Sequence, residues 1–88
     1  MTYQLYIGAN NQTRKVEIDK IQKILNGEYD GYTIANVLGY WQGKPEKSVS
    51  VLLTDRKPSH LLGVIGKLKT ALDQDAIAYH QVSALKFI

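Results

Sequence analysis

The sequence predicts an α+β fold, in which an antiparallel sheet carries two helices on one of its faces. Two kinds of segment lead to this prediction. Alternation of apolar and polar residues indicates strands, and apolar residues recurring three or four positions apart indicate helices. In chain order the segments give strand–helix–strand twice, which is the split β-α-β plan of the ferredoxin-like fold. With 88 residues the chain has the length of one domain, so residues 1–88 are assigned to a single ferredoxin-like domain.

The first strand is predicted at residues 3–7, where large apolar and aromatic side chains alternate as in a half-buried strand. Residues 8–11 contain Gly and Asn, which tolerate positive φ, and are therefore predicted to form a turn. Val16 and Ile18 then alternate with charged residues, which predicts a short returning strand over residues 15–19.

The first helix is predicted from its end signals. Asp19 is a good N-cap residue, and Gln22 three positions later would complete a capping box. The apolar residues that follow share one helical face, namely Ile21, Ile24 and Leu25. Asn26 and Gly27 are predicted to end this helix after about two and a half turns.

A β-hairpin is predicted at the centre of the chain. Residues 32–42 form an extended stretch whose alternation places Tyr40 on one face and Trp41 on the other. Residues 42–46 interrupt the pattern with Gly and Pro, and residues 48–53 resume it. Two strands separated by such a loop indicate an antiparallel hairpin.

The second helix has the clearest apolar periodicity in the chain. Its stripe is formed by Leu61, Ile65, Leu68 and Leu72, and is widened by Leu62, Val64 and Ala71. Pro58 suits the first turn and Ser59 is a candidate cap. Gly63 and Gly66 each lower the helix propensity by about 1 kcal/mol, which predicts close packing against the sheet. The second strand–helix–strand unit ends with an extended segment, which is predicted over residues 77–82 and continues to Leu85 and Phe87.

One face of such a sheet is left uncovered by the helices. The alternation predicts apolar and aromatic side chains on that face. A large exposed apolar patch on a small domain marks an interface. The sequence therefore predicts an oligomer.

Several functional classes are excluded or disfavoured by composition. The absence of Cys excludes disulfides, thiolate metal sites and a Cys nucleophile, and two His make a histidine-rich metal site improbable. We find no hydrolase triad and no phosphate-binding glycine loop. Eleven basic and eight acidic residues give a charge of +3, but the Lys residues are scattered, which argues against nucleic acid. No apolar run is long enough for a membrane span, and residues 1–4 do not begin a secretory signal, so a cytoplasmic protein is expected.

The hairpin carries the most unusual set of residues. Residues 39–47 contain the only Trp of the chain, the neighbouring Tyr40, and Glu46 beside two Lys. One interpretation is a surface turn whose aromatic pair fills the core. The other is an aromatic wall for a flat or cationic ligand, with Glu46 pairing a positive group.

From this hairpin to its end, the chain resembles the bacteriophage-encoded enzymes that degrade S-adenosylmethionine. The shared features are Gly39-Tyr40-Trp41, the segment 45–49 entering a strand, an amphipathic helix, and Gln74-Asp75 before the last strand. The resemblance lies in order and spacing rather than in one specific motif. The hairpin loop looks shorter than in other members, so the family's aromatic residue corresponds to either Tyr40 or Trp41.

The resemblance implies a PII-like trimer of ferredoxin-like sandwiches with active sites between subunits. It implies a carbon–sulfur lyase without metal or other cofactor, in which the carboxylate of S-adenosylmethionine attacks its own γ-carbon. The products are methylthioadenosine and homoserine lactone. Glu46 is expected to hold the substrate ammonium, and Tyr40 or Trp41 to flank the adenine or the sulfonium. A phage enzyme of this kind would deplete the methyl donor in the host cytoplasm and so blunt restriction.

Two alternatives remain open at this point. A PII-like module that binds an adenine nucleotide without turnover would use the same fold and interface, although Lys44 and Lys47 alone are a weak triphosphate site. A small interaction protein that applies its sheet face to a host target would instead be a monomer with an exposed apolar face.

Overall fold

Six elements follow one another in the predicted order in a computed structural model, which describes residues 1–10 and 12–83, with the backbone alone at position 41. They are β1 (Thr2–Gly8), α1 (Ile18–Glu28), β2 (Tyr32–Trp41), β3 (Lys44–Thr54), α2 (Pro58–Leu72) and β4 (Ala78–Val82). The strands form one antiparallel sheet in the order β2-β3-β1-β4, which confirms the ferredoxin-like plan. The predicted extension to Leu85 and Phe87 lies outside the described residues. No helix in the described ranges is long and apolar enough to cross a membrane.

The core forms between the helices and one face of the two central strands. In the register, Leu5 of β1 lies opposite Val51 of β3, and both side chains are fully buried. The helices cover this face with their apolar stripes, which contribute Ile21, Leu25, Leu61, Val64, Ile65, Leu68 and Leu72. Burial of side chains of this size stabilises the fold by about 1.5–3 kcal/mol each.

The start of α1 differs from the prediction. The structure has no strand over residues 15–19, and the helix begins at Ile18 with Glu17 as its N-cap. The Glu17 carbonyl accepts hydrogen bonds from the backbone N–H groups of Lys20 and Ile21, so Asp19 lies within the first turn. The capping box of Asp19 is therefore wrong, and Asn26 and Gly27 lie inside the helix rather than beyond it.

The ends and packing of α2 also correct two predictions. Pro58 occupies the start of the helix as predicted, but Lys57 rather than Ser59 is the N-cap. Gly63 and Gly66 are exposed, and a Cβ added at either would meet nothing within 4 Å. The expected close packing of these glycines against the sheet is wrong, because the buried stripe of α2 lies on another side of the helix.

The hairpin turn is shorter than predicted. Only Gln42 and Gly43 connect β2 to β3, with φ of 51° and 77°. Positive φ at both positions suits the tight turn that matches the twist of paired strands. Pro45 is accommodated in β3 because β1 ends opposite Ser48, so this end of β3 has a neighbouring strand on one side only.

The sheet face opposite the helices, here called the open face, is more polar than predicted. Tyr6 is 42% exposed there and stacks on His80, with ring planes 4° apart. Beside them Gln4 donates a hydrogen bond of 2.8 Å from Nε2 to the Ser50 hydroxyl. The open face thus combines exposed aromatic surface with polar pairs.

A polar cluster joins the end of α1 to the start of α2. Asp55 follows β3 and is buried; its Oδ2 accepts a hydrogen bond from the Tyr29 hydroxyl at 2.6 Å and lies 2.6 Å from His60 Nδ1. The second ring nitrogen of His60 lies 2.7 Å from Glu28, which also accepts a hydrogen bond from Lys67. His60 therefore bridges two carboxylates.

Hydrogen bonds, burial and charge together shift the pKa values of this cluster. Glu28 and then Asp55 raise the pKa of His60 above its ordinary value. Hydrogen bonds from Lys67 and His60 lower the pKa of Glu28. Burial raises the pKa of Asp55, but hydrogen bonds from Tyr29, the Lys57 backbone and His60 outweigh it, so this pKa is lowered. Burial, followed by the bond to Asp55, raises the pKa of Tyr29 well above its usual range.

We expect the stability of the protein to depend on pH through His60. Because its folded pKa is raised, its contribution is fully present below the unfolded pKa and is lost as the pH rises through the folded pKa. The contributions of Glu28 and Asp55, whose pKa values are lowered, are lost instead as the pH falls into the acid range. Thermal unfolding of the wild type, measured from neutral to mildly alkaline pH, should show a falling midpoint.

The matched variants are His60→Gln and His80→Gln. The first should flatten the fall in the unfolding midpoint on the alkaline side, because the bridging imidazolium is gone. The second changes the histidine on the open face and should leave the fall in place. If the unfolding midpoint of His60→Gln fell with rising pH as steeply as that of the wild type, the assignment of this pH dependence to His60 would be contradicted.

Candidate functional site

The β2–β3 hairpin projects past the rest of the sheet. The two strands pair from Tyr32 opposite Leu53 to Trp41 opposite Lys44, but β1 reaches only to Ser48. Residues 37–47, here called the hairpin arm, therefore form a two-stranded ribbon. Its exposed apolar residues include Leu38 and Tyr40, at 62% and 67% exposure.

The Glu46 carboxylate lies against the backbone of Gly8. A Cβ built on Gly8 would stand 3.0 Å from Glu46 Oε1 and 3.7 Å from Gln74 Oε1. The absence of a side chain at Gly8 thus leaves room for the Glu46 carboxylate, whereas the distance to Gln74 is an ordinary van der Waals contact. Gln74 is fixed in turn, because its Nε2 donates a 2.8 Å hydrogen bond to the Ala9 carbonyl. The hairpin arm, the end of β1 and the segment after α2 therefore meet at Glu46.

A cavity of about 450 Å³ opens beside this meeting point and is here called the hairpin cavity. It is lined by Ala9, Asn10, Arg14, Gln42, Lys44, Pro45, Glu46 and Lys47. Its volume is in the range of small-molecule sites. The Glu46 side chain forms no hydrogen bond or ion pair with another described residue, although Lys44 and Lys47 lie near it in sequence. Its carboxylate is therefore available to a cationic group of a ligand.

Asn10 shapes the loop that forms the opposite wall. Its Oδ1 accepts hydrogen bonds from the backbone N–H groups of Gln12 and Thr13. Its Nδ2 donates to Glu17 Oε1 at 2.8 Å and to the Leu72 carbonyl at 3.2 Å, which ties the loop to both helices. At the end of the loop, Arg14 has a left-handed backbone with φ of 60°.

The predicted site residues fall in different places. Glu46 lines the hairpin cavity, whereas Tyr40 is not among the described residues that line it. Strand alternation puts Tyr40 and Glu46 on opposite faces of the hairpin arm, since Tyr40 pairs with Pro45 and Glu46 with Gly39. Trp41 pairs with Lys44, and its side chain lies outside the part of the chain that the structure describes.

Sequence reasoning missed the contributions of Gly8, Asn10 and Arg14. Arg14 belongs to the densest basic group in the sequence, which was a usable signal. Nothing local marks Gly8 as the neighbour of Glu46, because 38 positions separate them in sequence. Their contact arises from the β1–β3 pairing.

Comparison of the chain with known proteins finds similarity in structure alone. No family profile and no curated protein matches the sequence. A phage S-adenosylmethionine lyase in its apo state superimposes with a TM-score of 0.64 at 14% identity, over 89% of this chain and 75% of the other. A DUF3240 family protein from Shewanella baltica superimposes with a TM-score of 0.56 at 11% identity, over 97% of this chain and 96% of the other. A point variant of CutA1 from Pyrococcus horikoshii superimposes with a TM-score of 0.53 at 17% identity, over 96% of this chain and 86% of the other. At these identities the likeness shows a shared fold.

Proposed function

We propose that this protein is an S-adenosylmethionine lyase that produces methylthioadenosine and homoserine lactone. The observation that carries the proposal is the Glu46 carboxylate at the hairpin cavity, which lies against Gly8 and pairs with no side chain in the described part of the chain. The structural likeness to a phage S-adenosylmethionine lyase supports it. So does the order of hairpin, amphipathic helix and last strand, which the sequence shares with that family.

The proposed reaction needs little from the protein beyond positioning. An oxygen of the substrate carboxylate forms a bond to the γ-carbon, and the bond from that carbon to sulfur breaks. The electron pair goes to sulfur, so the sulfonium leaves as a neutral thioether and no proton is transferred. Holding the methionine arm in its attack geometry and excluding water are the contributions that remain for the protein.

Glu46 is proposed to supply that positioning by binding the α-ammonium of the substrate. An ammonium–carboxylate contact is a charge-assisted hydrogen bond, and it leaves the substrate carboxylate free to attack. The carboxylate should not hold the sulfonium itself, because that positive charge disappears in the transition state and tight binding would oppose the reaction. An apolar environment around sulfur is therefore expected.

The proposal includes a trimer with sites between subunits. Tyr40 is 67% exposed and lies on the face of the hairpin arm away from Glu46, so a second copy could receive it. We propose that Tyr40 or Trp41 flanks the adenine or the sulfonium in such a shared site. Sedimentation of the purified chain should then give a species three times its 9.9 kDa mass. We further propose that the protein is phage-encoded and depletes the methyl donor of the host.

The experiment that tests the proposal is incubation of the purified chain with S-adenosylmethionine, with products followed by NMR from the earliest times. Methylthioadenosine and homoserine lactone should appear together at equal rates. S-adenosylhomocysteine, which lacks the sulfonium, is the control substrate and should remain intact. Absence of any cleavage would overturn the proposal.

Gly8→Ala offers a test of the Glu46 position that does not alter its charge. The new Cβ would stand 3.0 Å from Glu46 Oε1, so the carboxylate must shift by a few tenths of an ångström. We expect turnover of S-adenosylmethionine to fall roughly 3- to 10-fold, because reaction rates depend steeply on alignment. Stability should be unchanged or slightly higher, since Ala restricts the unfolded chain more than Gly does.

Gly31→Ala is the matched control for this variant. A Cβ at Gly31 meets nothing within 4 Å, and the residue lies before β2, away from the hairpin cavity. Its turnover should equal that of the wild type. Equal turnover in Gly8→Ala would contradict the placement of Glu46 in the active site.

A further inference from the structure

A second cavity, of about 550 Å³, lies between the loop before α1 and the hairpin arm, and is here called the loop cavity. Three of its lining residues are cations, namely Arg14, Lys15 and Lys47. No carboxylate lines it among the described residues. Arg14 and Lys47 also line the hairpin cavity, where Lys44 adds a cation and Glu46 is the one acidic residue among the described lining residues.

The cations that line the loop cavity have no counterion within residues 1–10 and 12–83. None of the three forms an ion pair with another described residue, whereas Lys20 pairs with Glu17 and Lys67 with Glu28. Like charges around a concave surface repel one another and concentrate positive potential there. A bound anion relieves this repulsion.

The loop holds Arg14 in a defined place. The Arg14 N–H donates to the Asn10 carbonyl at 2.8 Å, and the Asn10 N–H donates to the Lys15 carbonyl at 2.9 Å. Arg14 has a left-handed backbone, which is unfavourable for a residue other than glycine and persists where surrounding contacts determine it. The guanidinium is therefore presented from a fixed backbone, which reduces the entropy lost on binding.

We propose that the loop cavity binds the phosphate group of a small organic phosphate. A guanidinium donates two parallel hydrogen bonds to a phosphate, and the lysines add point charges. The remaining wall includes Val16, Ile18 and Val37, which offers apolar surface to the organic part. The carboxylate of S-adenosylmethionine is a poorer match, because a cation bound to that carboxylate would weaken it as the nucleophile of the proposed reaction.

The test is direct binding to the full chain, measured by NMR titration without S-adenosylmethionine. The probes are AMP, which carries a phosphate and a flat organic group, and inorganic phosphate. AMP should bind saturably, with shifts at the backbone of residues 14–18 and 47–48, and more tightly than inorganic phosphate. Arg14→Gln and Lys47→Gln should each weaken AMP binding at least fivefold, and Arg14→Lys should restore part of the loss.

Lys23→Gln removes the same charge from the exposed surface of α1, where it lines neither cavity, and should bind AMP like the wild type. An equal loss in Lys23→Gln would assign the effect to net charge and overturn the proposal. No saturable binding, or unchanged binding in both Arg14→Gln and Lys47→Gln, would also overturn it. Equal affinities for AMP and inorganic phosphate would refute the contribution of the apolar wall to binding. All these results are independent of whether the chain cleaves S-adenosylmethionine.

Discussion

Glu46→Gln is expected to lower the rate of S-adenosylmethionine cleavage by about 10- to 100-fold. Hydrogen bonds to charged groups contribute about 1.5–3 kcal/mol, and each 1.4 kcal/mol corresponds to a factor of about ten in rate. Gln keeps the shape of the side chain but loses the charge that would hold the substrate ammonium. Glu46 is exposed, so the variant should fold like the wild type.

The measurement is kcat and KM for S-adenosylmethionine, compared with those of Asp30→Asn. Asp30 is an exposed carboxylate in the loop between α1 and β2, and it lines neither cavity. Its removal changes the net charge of the protein by the same amount and should leave both constants unchanged. Equal turnover of Glu46→Gln and the wild type would refute the role proposed for Glu46.

Asp55→Ala should give the largest loss of stability among the polar substitutions, about 3 kcal/mol in the free energy of unfolding. Its carboxylate accepts hydrogen bonds from the Tyr29 hydroxyl and the Lys57 N–H and contacts His60, and the residue is 7% exposed. Removal leaves the half-buried Tyr29 hydroxyl without its acceptor, and unsatisfied buried donors cost about 1–3 kcal/mol. A change of this size lowers the unfolding temperature of a small domain by roughly 10–20 °C.

Asp75→Ala is the control, because Asp75 is exposed between α2 and β4 and forms no ion pair with a described residue. Its unfolding temperature should stay within about 2 °C of the wild type, as is usual for surface substitutions. The backbone bonds between Asp55 and Met1 survive in Asp55→Ala, so any loss reports on the carboxylate. A loss below about 1 kcal/mol would show that the cluster contributes little.

The order of elements was predictable because it rests on periodicity. The alternation in residues 3–7 and the stripe from Leu61 to Leu72 are local patterns, and the structure buries them as expected. End signals were less reliable. Asp19 and Ser59 have the right chemistry for caps, but the helices begin one residue earlier, at Ile18 and Pro58, so both residues lie within the first turn.

Only the part of the candidate site that lies within one short segment of the chain could be predicted from the sequence. Glu46 stood out because the hairpin concentrates unusual residues within a short stretch. Its relation to Gly8 depends on strand register, and its relation to Arg14 on how the loop after β1 folds around Asn10. The β2–β3 register also puts the side chains of Tyr40 and Glu46 on opposite faces of the hairpin arm. Their closeness in sequence, with only five residues between them, does not reveal this separation.

The proposed lyase reaction is tested most directly by cleavage of S-adenosylmethionine in oxygen-18 water, with products analysed by mass spectrometry at early times. An intramolecular attack predicts unlabelled homoserine lactone beside methylthioadenosine, with label entering only as the lactone later hydrolyses at its carbonyl carbon. Homoserine labelled at its γ-hydroxyl from the start would identify water as the nucleophile and contradict the account.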